Sequence, residues 1–270
     1  MKKILFYFFI IGVLFSCKDE NVITNPDLIS LQASRDHLTA ERIFNDLERT
    51  IEDGFIDNGE SKDCPNYIMH NANMDDNSDT LIIDFGNGSP TCINYGKIKK
   101  GKIIIIYTGK YRDSLTTMTT SFDNYHVNNN LIQGERIVRN EGRNSAGNIW
   151  FSIEVNNASI STENGTINWS ANRTREWVEG SETFFNIYDD QYIINGEASG
   201  ESVNGNSFTM TITEPLHINL VCLPYCIIQS GENTIIPDGY NERIINYGDS
   251  NCDCNVNINV GGTLYPVVIN

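Results

Sequence analysis

Asp79 to Arg112 reads DTLIIDFGNGSPTCINYGKIKKGKIIIIYTGKYR, and Ile244 to Gly262 reads IINYGDSNCDCNVNINVGG. Ile82-Ile83-Asp84-Phe85-Gly86 in the first stretch matches Ile244-Ile245-Asn246-Tyr247-Gly248 in the second. Cys64 lies 20 positions before Asp84, Cys226 lies 20 positions before Asn246, and Cys92 and Cys252 follow the two motifs. The pattern reads as one structural unit used twice, over about 64–112 and 222–269. In each copy a cysteine starts a strand, a hairpin returns the chain to the Asp84 or Asn246 corner, and the next turn brings a second cysteine to the same end. Bridges between Cys64 and Cys92 and between Cys226 and Cys252 are therefore expected. Cys222 and Cys254, each sharing strand parity with its neighbour, would nest around the second bridge.

Most of the intervening chain reads as strand and turn. Ile149, Phe151, Ile153 and Val155 share one parity, as do Phe208, Met210 and Ile212, and Val256, Ile258 and Val260. Such alternation belongs to antiparallel strands with one wet face. Ile103 to Ile106 leaves no wet position and predicts a central strand covered on both faces. Asn-Gly pairs at Asn87-Gly88, Asn164-Gly165, Asn195-Gly196 and Asn204-Gly205 suit hairpin turns. Leu38, Ile43, Phe44, Leu47 and Ile51 recur at helical spacing after the Ser34-Arg35-Asp36 cap candidates, which predicts one amphipathic helix over 36–53, packed on the sheet. The fold class is mainly β: a long antiparallel meander of ten or more strands, curved into a half-barrel or folded into two layers, with one N-terminal helix on it.

The N-terminus adds a location. Lys2 and Lys3 precede an apolar segment from Ile4 to Phe15 and then Leu14-Phe15-Ser16-Cys17, the order of a bacterial lipoprotein signal. The segment is short of the roughly 20 apolar residues of a membrane span. Residues 1–16 are thus expected to be removed, leaving Cys17 acylated, 17–34 as a flexible tether and 35–270 as a single β-rich domain. Losing Lys2 and Lys3 takes the formal charge from −16 to −18, a field that repels nucleic acid and anionic lipid headgroups. The lipid anchor is then the expected contact with the membrane. Six cysteines after Cys17, an even number in an exported chain, favour disulfides.

A resemblance rests on several motifs. Ser34-Arg35-Asp36 with Ala40-Glu41 and Phe44-Asn45-Asp46, Asp84-Phe85-Gly86 with Cys92, Lys100-Gly101-Lys102-Ile103, Tyr107-Thr108-Gly109-Lys110-Tyr111-Arg112, Phe122-Asp123-Asn124-Tyr125 and Tyr247-Gly248-Asp249 with Cys252-Asp253 are similar to a family of uncharacterised Bacteroidota lipoproteins. The resemblance implies a β-rich envelope protein and no particular activity. Lys18-Asp19-Glu20 resembles the acidic surface-export signal of that phylum, so the expected location is the outer membrane facing the exterior, with a periplasm-facing placement as the alternative. Asp79-Thr80-Leu81 and Asp113-Ser114-Leu115 resemble its O-glycosylation sites, which makes Thr80 and Ser114 candidates.

Nucleophile patterns are absent. Gly86-Asn87-Gly88-Ser89 lacks the nucleophile-elbow order, and His37, His70, His126 and His217 are not at metal-ligand spacing. Asp84, Asn87, Ser89, Asn246, Asp249 and Ser250 are read as turn residues bonding their own backbones in preference to calcium ligands. The acid pairs Asp75-Asp76 and Asp189-Asp190 read as solvated charge. No metal and no cofactor is expected. Ile167, Trp169, Ala171, Arg173, Arg175 and Trp177 share one parity, and arginine heads are rarely buried. Trp169, Arg173, Arg175 and Trp177, with Trp150 nearby on the opposite parity, therefore form a candidate ligand face able to stack on sugar rings or hold anionic groups, against cation-π pairing that merely covers the sheet. The expected function is a non-enzymatic surface module binding a glycan, a peptide or another envelope protein. The alternatives are a half-barrel carrier of a lipid or apolar ligand with the helix as its lid, and, third, a glycan hydrolase.

Overall fold

The computed structural model describes residues 31–56, 64–70, 78–109, 112–183, 186–223 and 226–269. The expected leader 1–16, Cys17, Lys18, Asp19 and Glu20, and the pair Asp75-Asp76 lie outside the described residues. Among the described residues one α-helix, α1 (Gln32–Ile56), precedes β1 (Asn66–His70), β2 (Asp79–Asp84), β3 (Cys92–Asn94), β4 (Lys97–Tyr107), β5 (Thr117–Val127), β6 (Asn130–Arg143) and β7 (Ile149–Thr162). The chain continues through β8 (Gly165–Glu179), β9 (Gln191–Glu201), β10 (Ser207–Asn219), β11 (Ile228–Pro237), β12 (Arg243–Asp249), β13 (Asn255–Val260) and β14 (Thr263–Val268). All fourteen strands form one antiparallel meander that does not close, with β3 lying off the path beside β4. The outcome is therefore one curved layer and not two.

Curvature is visible in what α1 touches. The helix reaches β4 through Thr50 and Lys99, β6 through Glu48 and Arg136, β8 through Glu41 and Arg173, and the β9–β10 turn through Asp36, which accepts the Val203 amide at 2.9 Å. Strands that far apart can meet one helix only if the sheet curls around it. Register shifts supply the bend, among them those at Lys100/Lys102, Gln133/Glu135, Val155/Ala158 and Ser230/Glu232. A residue at positive φ accompanies each: Gly101, Gly134, Asn157 and Gly231. At Gly101 an added Cβ would stand 2.0 Å from the Asn124 carbonyl oxygen, so the shift requires glycine.

Alternation holds where the sheet has one wet face. Phe151, Ile153 and Val155 are buried, and Val256, Ile258 and Val260 pack into the same core. Ile103 to Ile106 departs from the expectation: Ile103 and Ile105 are fully buried, but Ile106 is 48% exposed. α1 covers the inner face only, and the outer face of β4 meets solvent. Asn195-Gly196 is not a turn but lies inside β9, paired with Thr174 and Arg173 of β8. Gly196 has φ 131°, and a Cβ there would fall 2.1 Å from the Asn172 carbonyl oxygen, so the glycine serves a close backbone approach. Asn164-Gly165 and Asn204-Gly205 do stand at strand junctions.

The helix begins earlier than the cap candidates indicate. Leu31, Ala33 and Ser34 are buried, so the folded part starts inside the stretch read as tether. The two Cys-bearing units share their corner geometry: Gly86 donates its amide to Asp84 Oδ1 at 2.8 Å, and Gly248 donates to Asn246 Oδ1 at 2.9 Å. Phe85 and Tyr247 are both buried beside these corners. Cys64 is bridged to Cys92 with α-carbons 5.7 Å apart. The other two bridges correct the nested expectation: Cys222 joins Cys252 and Cys226 joins Cys254. Strand parity does not apply there, because Cys222 ends a 3-10 turn (Leu220–Cys222) and β11 begins only at Ile228. Gln229, whose side-chain amide lies 3.3 Å from Cys222 Sγ, tucks between that turn and Ser250.

Candidate functional site

α1 carries polar residues on faces that point into the curled sheet, and Asp36, Glu41, Asp46 and Glu48 find partners there. Arg173 donates to Glu41 at 2.9 Å, with His37 Nε2 3.2 Å from the same carboxylate oxygen. Trp169 Nε1, a donor only, lies 3.3 Å from His37 Nδ1, so the proton sits on Nε2 and faces Glu41. Burial alone would raise the Glu41 carboxyl, but Arg173 and His37 outweigh it and hold the group down to about 2. Two turns on, Glu48 is held between Arg136 and Arg175, the latter at 2.9 Å. Asp46 receives Lys99 on one oxygen at 2.9 Å and Arg49 and Lys97 on the other at 2.9 and 3.3 Å. Burial pushes Asp46 up, yet Lys99 and Lys97 hold it below the ordinary carboxylate range.

This arrangement overturns the exposed ligand face. Trp169, Arg173, Arg175 and Trp177 are all at least nine-tenths buried on the inner face of β8, beneath α1. The guanidinium groups lie there because Glu41 and Glu48 neutralise them, while Trp169 stacks on Phe44 and Trp177 donates to Asp190 at 3.2 Å. Arg175 also sits over the Phe151 ring at 4.8 Å, a cation-π contact within the covered face. Trp150 lies on the outer face, half-buried, and is not brought together with the other four. Of the acid pair Asp189-Asp190, Asp190 is buried and accepts from Trp177 and from the Tyr192 hydroxyl at 3.2 Å. Burial pushes its carboxyl up to about 7. Ser114 is exposed in the turn before β5, and Thr80 is half-buried on the outer face of β2. The turn residues Asp84, Asn87 and Asn246 bond the backbone of their own corners. Among the described residues no group of three or more His, Cys, Asp or Glu is placed to hold a metal ion.

What the sequence did not show is a cavity of about 420 Å³ on the open side of the curled sheet. Its floor is the α1 stripe Leu38, Arg42, Asn45, Arg49 and Glu52, residues three or four apart that share a helix face. One wall comes from Tyr95 and Lys97 at the β3–β4 turn. The opposite wall is apolar: Ile194, Ile218, Leu220, Leu223, Ile227 and Val256, edged by the Cys226–Cys254 bridge. Residues from both ends of the chain thus face each other across a space of ligand size. The floor is charged unevenly. Glu52 is pushed up to about 8 by burial and by neighbouring Glu48. Glu48 offers no free oxygen to chemistry, since Arg175 engages Oε1 and Arg136 engages Oε2. The i, i+7 recurrence of acids on a helix otherwise rich in Leu, Ile and Phe, set against a strand carrying two arginines at one parity, is the signal that could have exposed the ion pairs.

Compared with known proteins, the chain matches no family model, no curated protein and no solved structure.

Proposed function

We propose that this chain is a lipid-anchored envelope protein that binds an amphipathic small molecule without chemically changing it. The observation that carries the reading is the cavity between α1 and the C-terminal strands, with an apolar wall and a polar floor. Sites of this size and lining suit a ligand with an apolar body and one polar end. The reading favours the carrier alternative over the stacking platform, whose aromatic and guanidinium groups are consumed by packing. It also departs from the lid picture, because α1 fills the trough itself and the ligand space lies beside it. Glu41, Asp46 and Glu48 are bound to cations and serve as structural ions, which supports a non-catalytic role.

The test is binding of N-phenyl-1-naphthylamine, a neutral apolar fluorophore, to the mature chain (17–270) carrying Cys17→Ser. Fluorescence should rise saturably. Ile228→Trp and Leu223→Trp, which add bulk at half-buried positions of the apolar wall, should weaken it at least about tenfold with little change in melting temperature. Unaltered binding in both variants would refute the cavity as the site.

A further inference from the structure

The reading above leaves the polar end of the ligand undefined, and the floor of the cavity addresses it. Asp46 is shared by Arg49, Lys97 and Lys99, and both of its oxygens are engaged. Arg42, one turn earlier on α1, feels Asp46 at longer range but makes no hydrogen bond and no ion pair among the described residues. Arg49 is committed to Asp46 and to the Tyr95 ring, 3.2 Å from its guanidinium carbon. Lys99 is fully buried and donates to Thr50 and Asn94 as well. Four cations therefore surround one carboxylate, and of the three that border the open cavity, Arg42, Arg49 and Lys97, Arg42 and Lys97 are less committed than Arg49.

Half-burying that surplus is costly unless an anion joins it. Burial pushes Lys97 down to about 8, with Arg42 and Lys99 adding to the fall and Asp46 opposing it, and burial lowers Arg42 as well. Asn45 and Asn128 also line the cavity. Across the cavity, Ile218, Leu220, Leu223 and Ile227 offer an apolar surface for the rest of such a ligand.

We propose that the cavity recognises an amphipathic oxyanion, an apolar chain ending in a singly charged group such as a carboxylate, with the head group held between Arg42 and Lys97. The selectivity is local: the chain as a whole is strongly acidic, so an anion is admitted at this point and repelled elsewhere. The inference rests on the cavity reading above.

Displacement of N-phenyl-1-naphthylamine by three ten-carbon probes tests it: decanoate, decyltrimethylammonium and 1-decanol, each below its micellar range at pH 7. Decanoate should compete at least about tenfold more tightly than the other two, and Arg42→Gln with Lys97→Gln should abolish that advantage while leaving 1-decanol unchanged. The decanoate advantage should also shrink as pH rises through about 8, where Lys97, facing Asp46, Arg42 and Lys99, loses its proton and Glu52 on the same floor gains a charge. Equal competition by all three probes, or decanoate binding unchanged in the double variant, would overturn the anion assignment and keep the cavity. Failure of every probe to compete would overturn both.

Discussion

Glu41→Gln removes the charge that holds Arg173 under the helix while keeping the side-chain shape. Arg173 and His37 hold the Glu41 carboxyl down to about 2 in the folded chain against 4.5 for an ordinary glutamate, and each tenfold change in proton affinity corresponds to about 1.4 kcal/mol. The carboxylate therefore stabilises the fold by about 3 kcal/mol at neutral pH, in line with the roughly 3–5 kcal/mol lost when one partner of a buried pair is removed. Arg173 makes the variant worse, because its Nε and Nη1 already have no partner and Nη2 would be left with a neutral acceptor. In a domain of this size the melting temperature should fall by roughly 6–12 °C. The sign of the pH dependence is fixed. A depressed carboxyl stabilises fully above its unfolded value and loses that contribution as pH falls toward its folded value, so wild type and variant should converge between about pH 4.5 and 2. Urea titrations at pH 7, 4.5 and 3 measure this. A difference below about 0.5 kcal/mol at pH 7, or one that does not narrow on acidification, refutes the account of the ion pair.

Glu52→Gln should act in the opposite direction. Its raised carboxyl stays protonated in the folded chain while the unfolded chain ionises above about 4.5, so wild-type stability declines between about pH 4.5 and 8. The variant should be more stable than wild type by about 1–3 kcal/mol at pH 8 and equal to it near pH 4, as read by chemical denaturation. Gly196→Ala in the middle of β9 should cost at least about 2 kcal/mol, because φ 131° and the Asn172 carbonyl both exclude a Cβ; a neutral result would mean that β8 and β9 are not in this register.

The strands were legible because one wet face imposes period two, and the helix because its apolar residues keep helical spacing. The corners of the repeat were legible as well: Asp84 and Asn246 cap their turns through the side chains that the repeat keeps as Asp or Asn. Where the reading failed, a residue's partner was distant in sequence. Arg173 and Arg175 look like surface residues until Glu41 and Glu48, more than 120 positions earlier, are placed above them. Ile103 to Ile106 looks like a doubly covered strand until the number of covering layers is known, and the sequence offers only one helix for a sheet of fourteen strands. The cavity is still further from local pattern, since its walls come from the β3–β4 turn and from strands near the C-terminus.

The ion pairs also decide how a ligand enters. Lifting α1 out of the trough would leave Arg136, Arg173, Arg175 and Lys99 without their carboxylates in an apolar surround. Breaking one such pair costs about 3–5 kcal/mol, so breaking four together costs on the order of the whole 5–15 kcal/mol that holds a typical domain together. Departure of the helix is therefore unfolding, and exchange must use the side of the cavity that strands and turns enclose. The Cys226–Cys254 bridge borders that side, where the chain entering β11 meets the chain entering β13. Replacing both cysteines by serine frees a loop of 28 residues, a change worth on the order of 3–4 kcal/mol by the chain-entropy estimate. The variant should exchange N-phenyl-1-naphthylamine faster and bind it more weakly, while the α1 amides keep their slow hydrogen exchange relative to those of β13. Slow exchange lost equally from α1 and β13 would show that the bridge holds the whole fold and not the cavity wall.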